Sequence, residues 1–559
     1  MSLKLILPLT FFAFILFAAW LVLTSNNSDD PVAFIDNPEA FIITVKTDNP
    51  GVSLDTEFRV PTKVPELFNY DPSVLLDPKF INSINMSELF NYNVDCDSDG
   101  KNEAEGQTGD YTCSYDTAGT YRITISDNSG KGEGFPRIYF NNRWDSEKLI
   151  GINQWGKGIW SSMDGAFSGC HNLNNSGAAT DAPDLSKVSS MHQMFYEAFL
   201  FNQNIGHWNT SNVTSMSEMF ANAEAFNQDI GKWNIQNVTD VSYMFSGAYL
   251  FNQDISKWDT GQVTTMKEMF SNTKNFNQNI GNWNIQNVTN VSYMFNKALL
   301  FNQDLNKWDT ANVAKMNSMF EGASSFNQNI GDWDTGKVTN MENMFSDAII
   351  FNQNIGKWDT KNVGLMRSMF DGAAAFNQNI NNWNTAKVGT MGSMFKGATS
   401  FNQAIGKWNT KEVTYMDHLF DNAIAFNQDI GDWDIGKVFD MGYMFSEAAS
   451  FNQPLGKWNT KSAENMRYMF TKATSFNQNI GDWDTSNVTD MYNMFGEANS
   501  FNQPIGKWNT EKVKDMGYMF YGASSFDKQD LSGWDVKNVS EHGSFFHDVN
   551  NSNIQPVWQ

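Results

Sequence analysis

"FNQNIGDWDTGKVTNMENMFSDAII" runs from Phe326 to Ile350, and its pattern returns in the 25 residues on either side. The opening triplet Phe-Asn-Gln occurs thirteen times, from Phe201 to Phe501, always 25 residues apart. With that Phe as position 1, apolar residues hold positions 1 (Phe), 5 (Ile or Leu), 8 (Trp), 13 (mostly Val), 16 and 19 (mostly Met), 20 (Phe) and 23 (mostly Ala). A fixed period of this size implies stacked units, each covering the apolar side of the next. Positions 3–8 read as a short strand bending at Gly, and 9–12 are turn formers. Positions 13–23 space their apolar residues by three and four, which predicts one or two turns of α or 3-10 helix. The expected fold is a leucine-rich-repeat-like solenoid with one short strand and one short helix per coil.

The rest of the 559 residues frames this array. Residues 1–30 hold Lys4 and then an uncharged run from Leu5 to Leu23, about long enough to span a bilayer. The run reads as an uncleaved signal anchor, giving an N-terminal hydrophobic helix, or as a cleaved signal peptide. Both readings place everything after Ser25 outside the cytoplasm, on the cell surface or secreted. Residues 31–140 carry short alternating runs such as "AFIITVKT" and "TYRITIS", the pattern of a small all-β sandwich. "ELFNY" occurs at Glu66 and again at Glu88, suggesting a local duplication. Residues 141–200 are degenerate leading repeats, 201–525 the thirteen regular ones, and 526–559 a degenerate capping repeat and tail. Atypical ends are what a stacked array needs to cover its terminal core.

Charge narrows the function. Only 18% of residues are charged, yet the net charge is −24, which argues against nucleic acid as a partner. The six histidines repeat at no fixed position, and no Ser elbow, HExxH or phosphate loop occurs. No residue is assigned a catalytic or cofactor-binding role. One motif has the chemistry for metal: "DCDSDG" sets Asp95, Asp97 and Asp99 before Gly100, as in calcium loops. An EF-hand would place Glu twelfth; Gly106 stands there and Glu105 is one short. The alternative is an acidic turn between strands. Cys96 and Cys113 are a disulfide candidate in an oxidising compartment, and Cys170 reads as a small buried apolar residue.

Two further positions are informative. Asn and Gln at 2 and 3 lie between core Phe and core Ile, so at least one faces inward and must be hydrogen-bonded. An amide ladder from coil to coil explains them better than a repeated ligand site. Position 7 alternates Lys with Asp or Asn from Asn282 to Lys507, as expected of a solvent-facing ladder that avoids like charges side by side. Lys232 and Lys257 break the alternation.

The spelling "FNQDIGKWNTSNVTDMSYMFSGA", shared across these units, resembles the repeat of the BspA-type leucine-rich-repeat surface proteins. "WGKGIWSSMDGAFSGCHNL" and "APDLSKVSSMHQMF" resemble that family's lead into its array. The upstream "NVDCDSDG" and "GDYTCSYDTAGTYRITI" resemble a PKD-like sandwich. The resemblance covers about Ile42 to His547. It implies a non-enzymatic microbial protein, surface-held or secreted, that adheres to a protein or glycan on another cell or matrix. A purely structural surface-layer or stalk protein and an exported enzyme are the rival classes.

Overall fold

The computed structural model describes residues 34, 37–62, 90–549 and 552–558. The predicted membrane-spanning run and the first "ELFNY" lie outside them. Among the described residues, no helix is long and apolar enough to cross a membrane.

The N-terminal part is two antiparallel sheets. β1 (Phe41–Lys46), β3 (Tyr92–Asp95), β4 (Ala104–Gln107), β6 (Thr120–Asp127) and β7 (Leu149–Gln154) form one, in the order β4-β3-β6-β1-β7. β2 (Glu57–Val60) and β5 (Tyr111–Ser114) form the other. Alternation of buried Ile43, Val45, Ile123 and Ile125 fills the space between them. Cys96, just after β3, is joined to Cys113 of β5, tying the two sheets together. β7 lies beyond residue 140, where the sandwich was expected to end. Its Ile43-to-Ile152 register on β1 makes the first repeat-like residues part of the sheet. Phe41 then packs on Trp155 and Trp160, at 5.7 and 5.1 Å, so one core runs from the sheets into the repeats.

From there the chain is a repeated domain with almost no helix. The eight expected apolar positions are buried; in the unit from Phe326, only Trp333 is exposed at all, at 4%. Their neighbours continue from unit to unit. Phe320 stacks on Phe326 at 3.9 Å, Phe326 on Phe351 at 6.0 Å and Trp333 on Trp358 at 6.4 Å.

The backbone between these residues departs from expectation. Positions 13–23 form no helix. The N–H groups of Met341, Asn343, Phe345 and Asp347 leave the unit and bond carbonyls of the next: Leu365, Arg367, Met369 and Asp371. The intervening N–H groups of Met344, Ser346 and Ala348 bond three residues back within the unit. A helix would need four-residue bonds along one axis; here every second bond is spent on the neighbour. To aim them alternately, positions 18 and 22 adopt left-handed backbone, as at Asn343 (φ 54°) and Asp347 (φ 55°). Position 22 is accordingly often Gly, Asn or Asp, as at Gly322, Gly372 and Asn422.

The expected strand at positions 3–8 is also absent. Among the described residues, the β-type pairing of the regular units is a single parallel bridge per unit at position 15, unbroken from Ser190 to Glu541; the leading and capping repeats add Ile159 to Asp184 and Asp530 to Ile554. Side chains do the pairing at positions 2–8. The Asn327 Oδ1 accepts the backbone N–H of Asn352 (2.9 Å) and the Nε2 of Gln353 (3.0 Å). The Trp358 indole N–H donates to the carbonyl of Ile330 at 3.0 Å. The Asn bond to the next backbone repeats at every step from Asn202 to Asp527. Trp208, at the start, has its indole N–H buried without such a partner. Gly331 faces the Asn354 carbonyl so closely that a Cβ would collide.

Asn327→Ala removes an acceptor that serves two donors in the next unit. The expected loss is about 1–3 kcal/mol in urea unfolding, leaving the Asn352 N–H unpaired; an unchanged midpoint would show water meeting that group.

Candidate binding surface

Position 18 is left-handed, and outside buried Ser318 and Ser393 its side chains are half-buried or exposed beside their counterparts one unit away. Across the thirteen units it is Ser or Glu in five, Asn in two and Tyr or His in six, with Tyr243 and Tyr293 standing two units apart. Toward the C-terminus the rings come together, at His418, Tyr443, Tyr468 and Tyr518, with Tyr492 beside Asn493 filling the remaining step. His418 stacks on Tyr443 at 4.3 Å and Tyr443 on Tyr468 at 4.5 Å. Tyr492 continues the row at 5.2 Å and Tyr518 at 5.8 Å. Tyr521 and His547 close it, with centroids 5.4 Å apart. His418, Tyr443, Tyr468, Tyr492 and Tyr521 are half-buried, whereas Tyr518, at 40%, and His547 are exposed.

Charged groups line the row. Arg467 lies over Tyr468 and Tyr492 and within 3.8 Å of Asp490. At position 15, Asp440, Asp490 and Asp515 each accept the N–H two residues on, from Gly442, Tyr492 and Gly517. Burial pushes the Asp440 and Asp490 carboxyls upward. Arg367 reaches two units along to grip Asp417 at 2.8 and 3.2 Å. It passes Gly392, where any Cβ would strike the guanidinium. His418 bonds Asp421 at 2.8 Å. Burial raises the carboxyl of half-buried Asp371 to about 6, with Asp347 and Asp421 adding to the shift.

Tyr415, Tyr443, Tyr468 and Tyr521 look scattered in the sequence. The structure joins all but Tyr415 in one row with His418, Tyr492 and Tyr518, while Tyr415 packs edge-on against Phe439. The missed signal was the shared position 18 of His418, Tyr443, Tyr468 and Tyr518.

At the other end of the chain, the acidic loop brings Asp95, Asp97 and Asp99 together with Glu103, not Glu105; their oxygens lie within 4.8 Å of one another. The loop also bonds itself. Asp95 accepts N–H groups of Asp99 and Gly100, Glu103 accepts that of Cys96, and Lys101 lies 3.0 Å from Asp99. The acidic-turn reading therefore accounts for the residues as they stand. Burial raises the Asp95 carboxyl, whereas the Lys101 bond lowers that of Asp99.

A family model described as "Mycoplasma protein of unknown function, DUF285" matches residues 161–280, 249–358, 301–403, 349–458, 373–480 and 448–558. Together these span most of the chain. The chain belongs to that family. It is the family of BspA-like repeat proteins, and each match covers several units of the stack. No curated protein matches the chain significantly. The DUF285 matches begin at residue 161, so neither the sheets nor the acidic loop is part of them.

Asp371 has a folded pKa above its unfolded value, so its ionised form destabilises the fold, and that cost grows as pH rises from 4 through 6. Asp371→Asn is expected to be more stable than the parent at pH 8, by about 1 kcal/mol after discounting for partial exposure. The difference should vanish near pH 4 in paired thermal melts. For the acidic loop, melts in millimolar calcium and in chelator are expected to coincide; a calcium-specific rise would assign an ion to Asp95, Asp97, Asp99 and Glu103.

Proposed function

We propose that this DUF285 protein is a non-enzymatic binding protein. In it a solenoid is held outside the cytoplasm and presents one long face to a macromolecular partner, with adhesion to another cell or matrix as its role. The row of rings from His418 to His547, flanked by half-desolvated carboxylates, carries this reading. Ring edges, phenol hydroxyls and carboxylates in a line suit an extended protein or glycan chain, which meets many weak contacts at once. The apolar run at residues 5–23 supplies the membrane attachment in this proposal. The net charge of −24 keeps nucleic acid out of the set of partners.

A structural stalk is the second reading. The unbroken bridge from Ser190 to Glu541 is what favours it, because a spacer needs only length and stiffness.

The purified chain is to be passed over immobilised matrix proteins, glycans and cell-surface material. Saturable binding, lost by at least tenfold in Tyr443→Ser/Tyr468→Ser with melting unchanged, is the expected outcome. Binding to nothing in the panel would leave the stalk, and binding indifferent to both tyrosines would move the site elsewhere.

A further inference from the structure

Positions 24 and 25 form a second stripe that the ring row does not touch. At five of the seven steps from Phe199 to Ala375 the N–H of position 25 donates to the carbonyl of position 24 in the unit before: Ala225 to Phe199, Leu250 to Glu224, Asn275 to Tyr249, Leu300 to Lys274 and Ala375 to Ile349. These dipeptides therefore lie side by side, one rung per unit. Their residues alternate. Phe199-Leu200, Tyr249-Leu250, Leu299-Leu300 and Ile349-Ile350 are bulky. Glu224-Ala225, Lys274-Asn275, Ser324-Ser325 and Ala374-Ala375 stand between and after them. Height follows size. Leu200, Leu250, Leu300 and Ile350 are 49%, 49%, 51% and 44% exposed, while Ala225, Asn275, Ser325 and Ala375 are half-buried. The stripe is a row of apolar teeth with recessed gaps, repeating every two units.

Single exposed leucines are ordinary, but large apolar side chains that stand out at every second rung, at Leu200, Leu250, Leu300 and Ile350, form a regular pattern along one face. Water gains nothing from the alternation, and a smooth partner would meet only the tips. A partner with teeth at the same spacing fits it, and this chain is one. Reversed end to end, eight alternating rungs place every tooth against a gap. Phe199-Leu200 then meets Ala374-Ala375, Tyr249-Leu250 meets Ser324-Ser325, and Leu299-Leu300 meets Lys274-Asn275. The two charges on the polar rungs, Glu224 and Lys274, offset each other across Tyr249, over whose ring the Lys274 ammonium sits at 4.1 Å.

We propose that this stripe is an interface between two antiparallel copies of the chain, related by a twofold axis between Asn275 and Leu299. It is independent of the partner proposed for the ring row. An isologous contact closes on itself and stops at two copies. Eight rungs at roughly 4.8 Å, about 10 Å wide, bury on the order of 300–400 Å² per copy. That is below the ~800 Å² of a standard interface, so the dimer is weak in dilute solution. It gains when both copies share one surface, where effective concentration is high. Ile424 stands outside the eight rungs.

Cysteine placement reads the register. Asn275→Cys sits one rung from its own symmetry mate, whereas Ser325→Cys sits three rungs, about 14 Å, from its mate. The native cysteines do not interfere: Cys96 and Cys113 are joined and Cys170 is buried. The full chain in mild detergent is oxidised and followed on non-reducing gels, alongside sedimentation across a concentration series. Expected are a concentration-dependent dimer, disulfide capture through Asn275→Cys but not Ser325→Cys, and at least tenfold weaker association in Leu250→Ser/Leu300→Ser with unchanged melting. Capture at both cysteines would mean parallel, shifted packing and would overturn the twofold. A monomer throughout, or a dimer indifferent to the two serines, would overturn the interface itself.

Discussion

Every unit of this array sends alternate backbone N–H groups into the next one, so no unit is complete alone. The N–H groups at positions 16, 18, 20 and 22 are buried and have partners only if the chain comes back in register 25 residues later. A buried N–H left unpaired costs about 1–3 kcal/mol, and a slip would strand a set of them at once. The fixed length, the left-handed residues at 18 and 22 and the amide pair at 2 and 3 all serve that constraint. The last unit shows its strictness. It has one extra residue, and left-handed Lys528 (φ 59°) absorbs it as a bulge. Beyond the bulge Gln529 still reaches Asn502 at 2.7 Å, and the Trp534 indole still finds the Ile505 carbonyl at 3.2 Å.

The sequence told the core apart from the surface but not one backbone path from another. Spacing of apolar residues at 13, 16, 19, 20 and 23 is shared by a helix and by overlapping three-residue turns, because both return a side chain to the same face every three or four residues. Gly, Asn and Asp at position 22 were the clue to the turns, since left-handed backbone suits them and a helix interior does not. The strand expected at 3–8 failed for a related reason. Asn327, Gln353 and Trp358 supply the inter-unit bonds that a strand's backbone would supply, so no ladder forms there. The amide role itself was legible, because two polar residues between a core Phe and a core Ile had to be paired. The ring row was harder to see. Tyr492 is at position 17 and Tyr521 at position 21, so only neighbouring coils in space, not one column of sequence, join them to Tyr468 and Tyr518.

Several positions outside the core alternate over two units along part of the array. Lys357 pairs with Asp332 and Lys457 with Asp432 at position 7, at 3.0 and 2.8 Å. At position 12, Lys387 bonds Asn362 and Lys437 bonds Glu412, again across one step and then skipping the next. These exposed pairs are worth little singly. Their value lies in what they avoid: with the same residue on every rung, a column of lysines would stack like charge on like charge. Alternation solves that problem at positions 7 and 12 and produces the teeth and gaps at 24 and 25. Residues 226–250 and 276–300 are alike, and so are 251–275 and 301–325, as expected if units were copied in pairs.

A scaffold built this way separates stability from recognition. Its cohesion comes from groups aimed along the stack: ring on ring, amide on backbone, indole on carbonyl. Positions 14, 15, 24 and 25 hold no buried residue in any of the thirteen units, and most residues at position 18 are only half-buried. They can change from unit to unit at small cost, as the drift from Ser318 through His418 to Tyr443 at position 18 shows. A run of rings or a comb of leucines is therefore not something the fold requires. Tyrosine in a left-handed conformation is strained by about 1–2 kcal/mol compared with glycine, and an exposed leucine contributes no burial. Where such residues recur in register over several units, the stack has not asked for them, and contact with a surface outside the chain is the demand that both proposals put to the test.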